Sequence, residues 1–284
     1  MRHDLKDLHV QLQKFVCPIF SANRKSEPEL VGSGVLLRVS SRVFLLTAAH
    51  ILDENERTNF YVSGKSELIE LLGRSYYGVS PGSGRRRDKI DVGFVLLSDA
   101  VVGELYPRLE FLAVDNLNVN DIAIPGNPYA FVGYPTTRNK PRLHHKIRLG
   151  GMMLTLAAAT EDKYVQLGLS SSTHLVACFD RSRVAGQAGR TAPDPHGMSG
   201  GGVWRLERSP DFAAPQVFAS LVALAIEWRR TSRVLVAVRI SILVAMLRRL
   251  FPDIASQLCK PSRVGVRVTL LSPDLPGAPS SERF

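Results

Sequence analysis

Cysteine is scarce in this 284-residue chain: Cys17, Cys178 and Cys259 are three, odd in number and far apart. That excludes a disulfide framework and a zinc site built from close ligand pairs. Long apolar runs are missing too. The longest, "FASLVALAIEW" and "RVLVAVRISILVAML", are shorter than the roughly 20 residues that span a bilayer or carry arginine. The N-terminus, "MRHDLKDLHVQLQKF", mixes acids and bases and has no apolar h-region, which excludes a secretory signal. Free thiols, an initiating Met1 and no signal together predict a cytoplasmic protein with no membrane partner. No internal repeat stands out. No basic stripe interleaved with aromatics accompanies the formal net charge of +10. Part of that excess sits in "GSGRRRDK" and "RNKPRLHHKIR", where solvated loops are a commoner explanation than a nucleic-acid surface.

What is present describes a globular chain with a real core: 45% hydrophobic and 22% charged residues. Short runs rich in Val, Leu, Ile and Phe follow one another, among them "GSGVLLRV", "SRVFLLTAA", "IDVGFVLLS", "DIAIPGNPYAFVGYP", "KYVQLGL", "HLVACFD" and "QVFASLVALAIEW". Gly, Pro, Ser and Asn punctuate them. Many short strands without long interposed helices predict an all-β fold of sandwiches or barrels, and two six-stranded antiparallel β-barrels would use about this number. Two segments read as helices. Leu5, Leu8, Leu12 and Phe15 line one face of a short N-terminal helix over residues 1–14 that docks on the body. In "SILVAMLRRLFPD" Ile242, Leu243, Met246, Leu247 and Leu250 recur at helical spacing, Ser241 is placed to cap the start, and Pro252 ends the run, giving a C-terminal helix over 241–251. The Pro- and Ser-rich tail over 260–284 is expected to be partly disordered, and it leaves too little chain for an appended peptide-binding domain.

Three residues stand where strands end or turn. His50 closes "VFLLTAAH", where Ala48 and Ala49 let the chain turn tightly. Asp91 opens the apolar run "DVGFVLL". Ser199 lies in "GMSGGG", a density of glycine used where a backbone turns unusually or approaches something closely. Each alone has a bland reading as a surface histidine, a turn aspartate or a loop serine. Together they supply what nucleophilic catalysis by serine requires: a base, a group to orient it, and backbone donors for an oxyanion.

"TAAH", "DVGFVLL" and "GMSGGG", with "FVGYP" (Phe131 to Pro135) between them, resemble the trypsin-like, chymotrypsin-fold serine peptidases, and most closely the compact bacterial and intracellular members. The resemblance covers roughly residues 15–251. It implies two β-barrels, about 15–115 and about 120–240, with the active site in the cleft between them and a helix after the second. It also implies that His50 takes the proton from Ser199, that Asp91 orients the imidazole, and that the N–H groups of Gly197 and Ser199 form the oxyanion hole. The specificity pocket would have its floor near Pro193 to His196 and its wall near "VALAIEW", so Asp194, His196 and Ala225 are the substrate-binding candidates. The substrate would be a protein or peptide, with no cofactor and no metal.

The sequence also departs from the digestive members of that family. Met198 stands where they carry an aspartate that pairs with a newly cut N-terminus, so activation by that route is not expected. The glycine-containing stretch "RSRVAGQAGRTAPDP" makes ordering of the site by a partner or ligand an open expectation. Asp88 is the rival to Asp91 as the orienting acid, and Arg85 to Arg87 lie close by. His144 and His145 are adjacent, so on a strand they face opposite ways and read as surface residues rather than a metal pair. The alternatives to a peptidase are a catalytically silent trypsin-like fold used as a scaffold, and a basic nucleic-acid-associated β-protein.

Overall fold

Strand β3 (Arg42–Ala48, RVFLLTA) is apolar at consecutive positions instead of alternating, and it is buried from Val43 to Ala48. Such a strand belongs in the middle of a sheet that is covered on both faces. The computed structural model describes residues 2–23, 27–54, 58–78, 89–139, 149–179, 192, 194–208, 216–259 and 265–269. In it, β3 lies between β2 (Pro28–Val39) and β7 (Val92–Leu97). The rest of this first sheet comprises β1 (Val16–Ala22), β4 (Phe60–Ser63), β5 (Leu68–Glu70), β6 (Gly73–Tyr77) and the short β8 (Leu112–Ala113). Their order is β5-β4-β1-β2-β3-β7-β6, with β8 added in parallel to β2. Among the described residues this sheet curls without closing.

The second sheet does close. Its strands are β9 (Pro128–Gly133), β10 (Met152–Ala158), β11 (His174–Cys178), β12 (Gly202–Arg208), β13 (Gln216–Arg229) and β14 (Val234–Arg239). They run β12-β9-β10-β11-β14-β13, and pairing of β12 with β13 completes a six-stranded barrel. A further strand, β15 (Val266–Thr269), pairs with the start of β13, so the segment after residue 260 includes an ordered strand. Residues 270–284 lie outside the described residues.

Helices fill the periphery. In α1 (Arg2–Gln13), Leu8 and Leu12 are buried, and Phe15, just beyond it, packs on Trp204 with ring centroids 6.1 Å apart. The single turn α2 (Ala49–Asp53) follows β3, and α3 (Asp99–Glu104) is capped by the Ser98 hydroxyl, which accepts from Val101 N–H at 3.4 Å. "KYVQLGL" is not a strand. It belongs to α4 (Glu161–Leu167), which has acids in its first turn and ends on Gly168 at φ 61°. Those are start and stop signals, and here they override the apolar content. The C-terminal helix α5 spans Ile240–Leu250, one residue earlier than the spacing predicts and without a side-chain cap. β14 runs directly into it, so Ser241 is already inside the helix. Its buried face is Ile240, Leu243, Val244 and Leu247, while Leu250 is exposed. Beyond it, Phe251 inserts between Phe44, Phe94 and Tyr76 of the first sheet. Among the described residues, no helix is long and apolar enough to cross a membrane.

Candidate active site

The pairing register of β3 and β7 decides what meets at the end of β3. Ala48 lies opposite Val92, so His50, two residues after the one, comes beside Asp91, one residue before the other. The chain turns into α2 with the Ala49 N–H bonded to the Asp91 carbonyl at 3.1 Å. Asp91 then receives His50 twice. Its Oδ1 accepts the His50 backbone N–H at 2.8 Å, and its Oδ2 lies 2.5 Å from the imidazole Nδ1. A carboxylate only accepts, so Nδ1 carries the proton and Nε2 is left as the acceptor. The Asp91 side chain is 16% exposed and that of His50 46%, which puts a sheltered acid behind an open base. Asp88 and Arg85 to Arg87 lie outside the described residues, as do His144 and His145.

Ser199 comes from the second sheet, on the turn that leads into β12. Two glycines shape that turn: Gly197 has φ 86° and Gly200 φ 81°, both in the region that L side chains rarely occupy. Space is also closed to them. A Cβ on Gly197 would stand 2.7 Å from Thr136 Cγ2, and one on Gly200 would be driven into the Ser33 carbonyl oxygen and the Thr47 hydroxyl. Gly200 also lies against Ala48, since its Cβ would be 3.1 Å from the Ala48 N. The serine turn and the histidine turn are therefore packed together across the boundary between the sheets.

Backbone hydrogen bonding in this turn is nearly complete. The His196 carbonyl accepts from Thr136 N–H at 2.9 Å and from its hydroxyl at 3.3 Å. The Gly197 carbonyl accepts from the Ser33 hydroxyl at 3.2 Å. The Met198 carbonyl accepts from Gly201 N–H at 2.9 Å, and that of Ser199 from Ser33 N–H at 2.8 Å. On the donor side, His196 N–H goes to Asp194 Oδ1 at 3.0 Å, Met198 N–H to the Pro195 carbonyl at 2.9 Å, and Gly200 N–H to the Ala225 carbonyl at 2.7 Å. Among the described residues the N–H groups of Gly197 and Ser199 have no acceptor. Gly197 is buried and Ser199 half-buried, and their two open donors stand either side of Met198 beside one serine hydroxyl. A trans peptide points its N–H opposite to its C=O. Pinning the His196 and Met198 carbonyls therefore fixes the directions of both open donors. Among the described residues, the Ser199 hydroxyl makes only a long contact of 3.4 Å to the Ile226 carbonyl.

The substrate-binding candidates occupy different places. Asp194 closes a turn through its bond to His196 N–H, His196 is exposed, and Pro193 lies outside the described residues. Ala225 is buried on β13, with its backbone spent on Gly200 and Gly201. Met198 is fully buried and packs against Gly133, whose Cβ would lie 2.9 Å from the Met198 Cβ. Cys17 is no rival nucleophile, because burial pushes its thiol up to about 12. Two residues of the site escape a reading of the sequence. Ser33 and Thr136 hold the serine turn, and the signal for the first was a lone polar residue between glycines in "LVGSGVLL".

No family model matches the sequence, and no curated protein matches it. Solved structures do. Neuropsin, a serine protease expressed in the limbic system of mouse brain, is 13% identical over 84% of this chain and 94% of its own, with a TM-score of 0.55. The protein GrC is 13% identical over 84% of this chain and 95% of its own, at a TM-score of 0.53. Kallikrein-related peptidase 10, solved in complex with Zn2+, is 19% identical over 85% and 97%, at a TM-score of 0.50. Likeness at such identity speaks to backbone architecture: this chain has the trypsin-like, chymotrypsin-type serine-protease fold.

Proposed function

We propose that this protein is a serine endopeptidase that hydrolyses peptide bonds through His50, Asp91 and Ser199. The reading is carried by one observation: the open N–H groups of the serine turn are those of Gly197 and Ser199, either side of Met198, and the turn packs against the strand end that presents His50. Ser199 releases its long contact to Ile226 and gives its proton to His50 Nε2 as the oxygen attacks a substrate carbonyl. The imidazolium that forms is stabilised by Asp91, which already holds Nδ1–H. The carbonyl oxygen gains negative charge between the two open N–H groups, where donors aimed in advance lower the barrier by about 3 kcal/mol each. Collapse expels the amine, which takes the proton back from His50, and leaves an ester on Ser199. Water then repeats the sequence and frees the acid.

Met198 gives an N-terminal amine no carboxylate to pair with, and it is sealed in the barrel core. Activity therefore does not depend on a newly cut N-terminus reaching this position. A fluorophosphonate probe tests the proposal. Labelling of the full-length protein that maps to Ser199, disappears in Ser199→Ala and weakens strongly in Asp91→Asn is expected. A folded protein that takes no label and cleaves no peptide is instead a scaffold with this fold.

A further inference from the structure

Ser33 lies on β2 of the first sheet, fully buried, and yet most of its polar atoms serve the second. Its hydroxyl donates to the Gly197 carbonyl at 3.2 Å and accepts the Tyr134 N–H at 2.9 Å. Its N–H donates to the Ser199 carbonyl at 2.8 Å, and its own carbonyl accepts from the Thr47 hydroxyl at 2.7 Å. β2 approaches so closely here that a Cβ on the neighbouring Gly32 would stand 3.3 Å from the Ser199 carbonyl oxygen. A hydroxyl in an apolar core is costly unless it is bonded, and this one is bonded on both sides.

Gly197 has no side chain to anchor it and sits at φ 86°. Its orientation is therefore set by what its two flanking peptides bond to. Thr136 holds the carbonyl before it and the Ser33 hydroxyl holds its own. Without the latter, the Gly197–Met198 peptide keeps only the bond from Met198 N–H to the Pro195 carbonyl, and the adjoining peptide that carries the Gly197 N–H is held from one end only.

We propose that Ser33 is a positioning residue for acyl transfer: its hydroxyl, reaching across from the first sheet, holds Gly197 so that the Gly197 and Ser199 N–H groups converge on one point. The inference rests on the peptidase reading, in which those groups receive the oxyanion. Ser33 touches no substrate, and its backbone bonds to Ser199 and Thr47 survive removal of the hydroxyl.

Ser33→Ala in the full chain is the test, assayed with a peptide ester and a peptide amide after circular dichroism has verified folding. kcat is expected to fall roughly tenfold, the scale of one buried hydrogen bond, with KM within about twofold. Affinity for a peptidyl boronic acid, which forms a tetrahedral adduct on the serine, should fall by a similar factor. The midpoint of the pH–rate profile should not move, because the His50–Asp91 pair is untouched. A purely structural role lowers the melting temperature and leaves kcat and boronate affinity at wild-type levels in the folded protein; that result overturns the inference. If the alanine variant does not fold, Ser33→Gly, between Gly32 and Gly34, removes the same hydroxyl and must give the same pattern. Wild-type protein that neither labels nor cleaves overturns the peptidase reading itself. Active wild type with an equally active Ser33 variant overturns only the role of Ser33.

Discussion

Gly197 is where backbone geometry and chemistry meet at the scale of single residues. Any side chain there must adopt φ near 86° and place its Cβ 2.7 Å from Thr136 Cγ2. Gly197→Ala is expected to lower stability by about 1–3 kcal/mol, the cost of a strained backbone. Because the turn relaxes by rotating the Gly197 N–H away, kcat should fall about a hundredfold or more while KM changes little. Steady-state kinetics on a small ester, alongside urea unfolding, separate the two losses. An equal loss in kcat and stability that is cured by lowering the temperature would count against an aimed donor. The candidates in this turn stood out in the sequence because glycine beside serine is a local signal. Ser33 did not, because its partners, Gly197 and Tyr134, lie 164 and 101 residues away.

Among the elements, α1 and β11 carry the clearest consequences. α1 is built into the core: Leu12 is fully buried, and Gln13 Nε2 donates to the Tyr134 hydroxyl at 3.2 Å. Leu12→Ala should cost about 2–5 kcal/mol, and deletion of residues 1–14 should destabilise the protein and produce no rise in activity. Thermal melts and esterase assays on both variants check this. On β11, His174 is buried; its Nε2 donates to the Lys89 carbonyl, 2.9 Å away, just ahead of Asp91, and its Nδ1 accepts from Thr173. Burial, and then the Lys89 charge, push its pKa below the ordinary 6.5. The unfolded chain therefore binds that proton more readily, so the stability is fully present above about pH 6.5 and is lost as pH falls through the folded value. Unfolding free energy measured between about pH 7 and pH 5 should decline less steeply in His174→Gln, whose amide still donates to Lys89. An unchanged slope would remove His174 as a source of acid sensitivity. α4 forms where apolar content alone predicts a strand. Its apolar residues suit either structure, and the deciding signals were Glu161 and Asp162 at one end and Gly168 at the other.

For the whole molecule, the question is what keeps two sheets, each with part of the candidate site, at one relative setting. Ser33 is one tie. The second is the return of the chain after α5, which carries Phe251 out of the second sheet into the aromatic group of Phe44, Phe94 and Tyr76, with Arg42 paired to Asp253 at 3.0 Å. Phe251→Ala is expected to cost about 3–5 kcal/mol. If the tie also sets the cleft, fluorophosphonate labelling of Ser199 should slow under conditions where the variant is still folded. Unfolding monitored through Trp204, in the second barrel, and through a probe on the first sheet would show whether the two halves come apart separately.

Local pattern alone determined a mostly β chain with a C-terminal helix, because apolar runs, glycine turns and helical spacing are written in neighbouring residues. It also singled out His50, Asp91 and Ser199 as chemistry-bearing positions at strand ends. Tertiary structure decided the rest. Pairing of Ala48 with Val92 brought His50 to Asp91, closure of β12 on β13 made the second sheet a barrel while the first, among the described residues, curls without closing, and β15 turned part of the tail into a strand. Above all, the approach of β2 to the serine turn satisfied the carbonyls of Gly197 and Ser199, Thr136 and Gly201 took those of His196 and Met198, and among the described residues two N–H groups were left open. The physical reason is distance along the chain: a hydrogen bond between residues more than a hundred positions apart leaves no periodic mark in sequence, and only folding brings its two ends together.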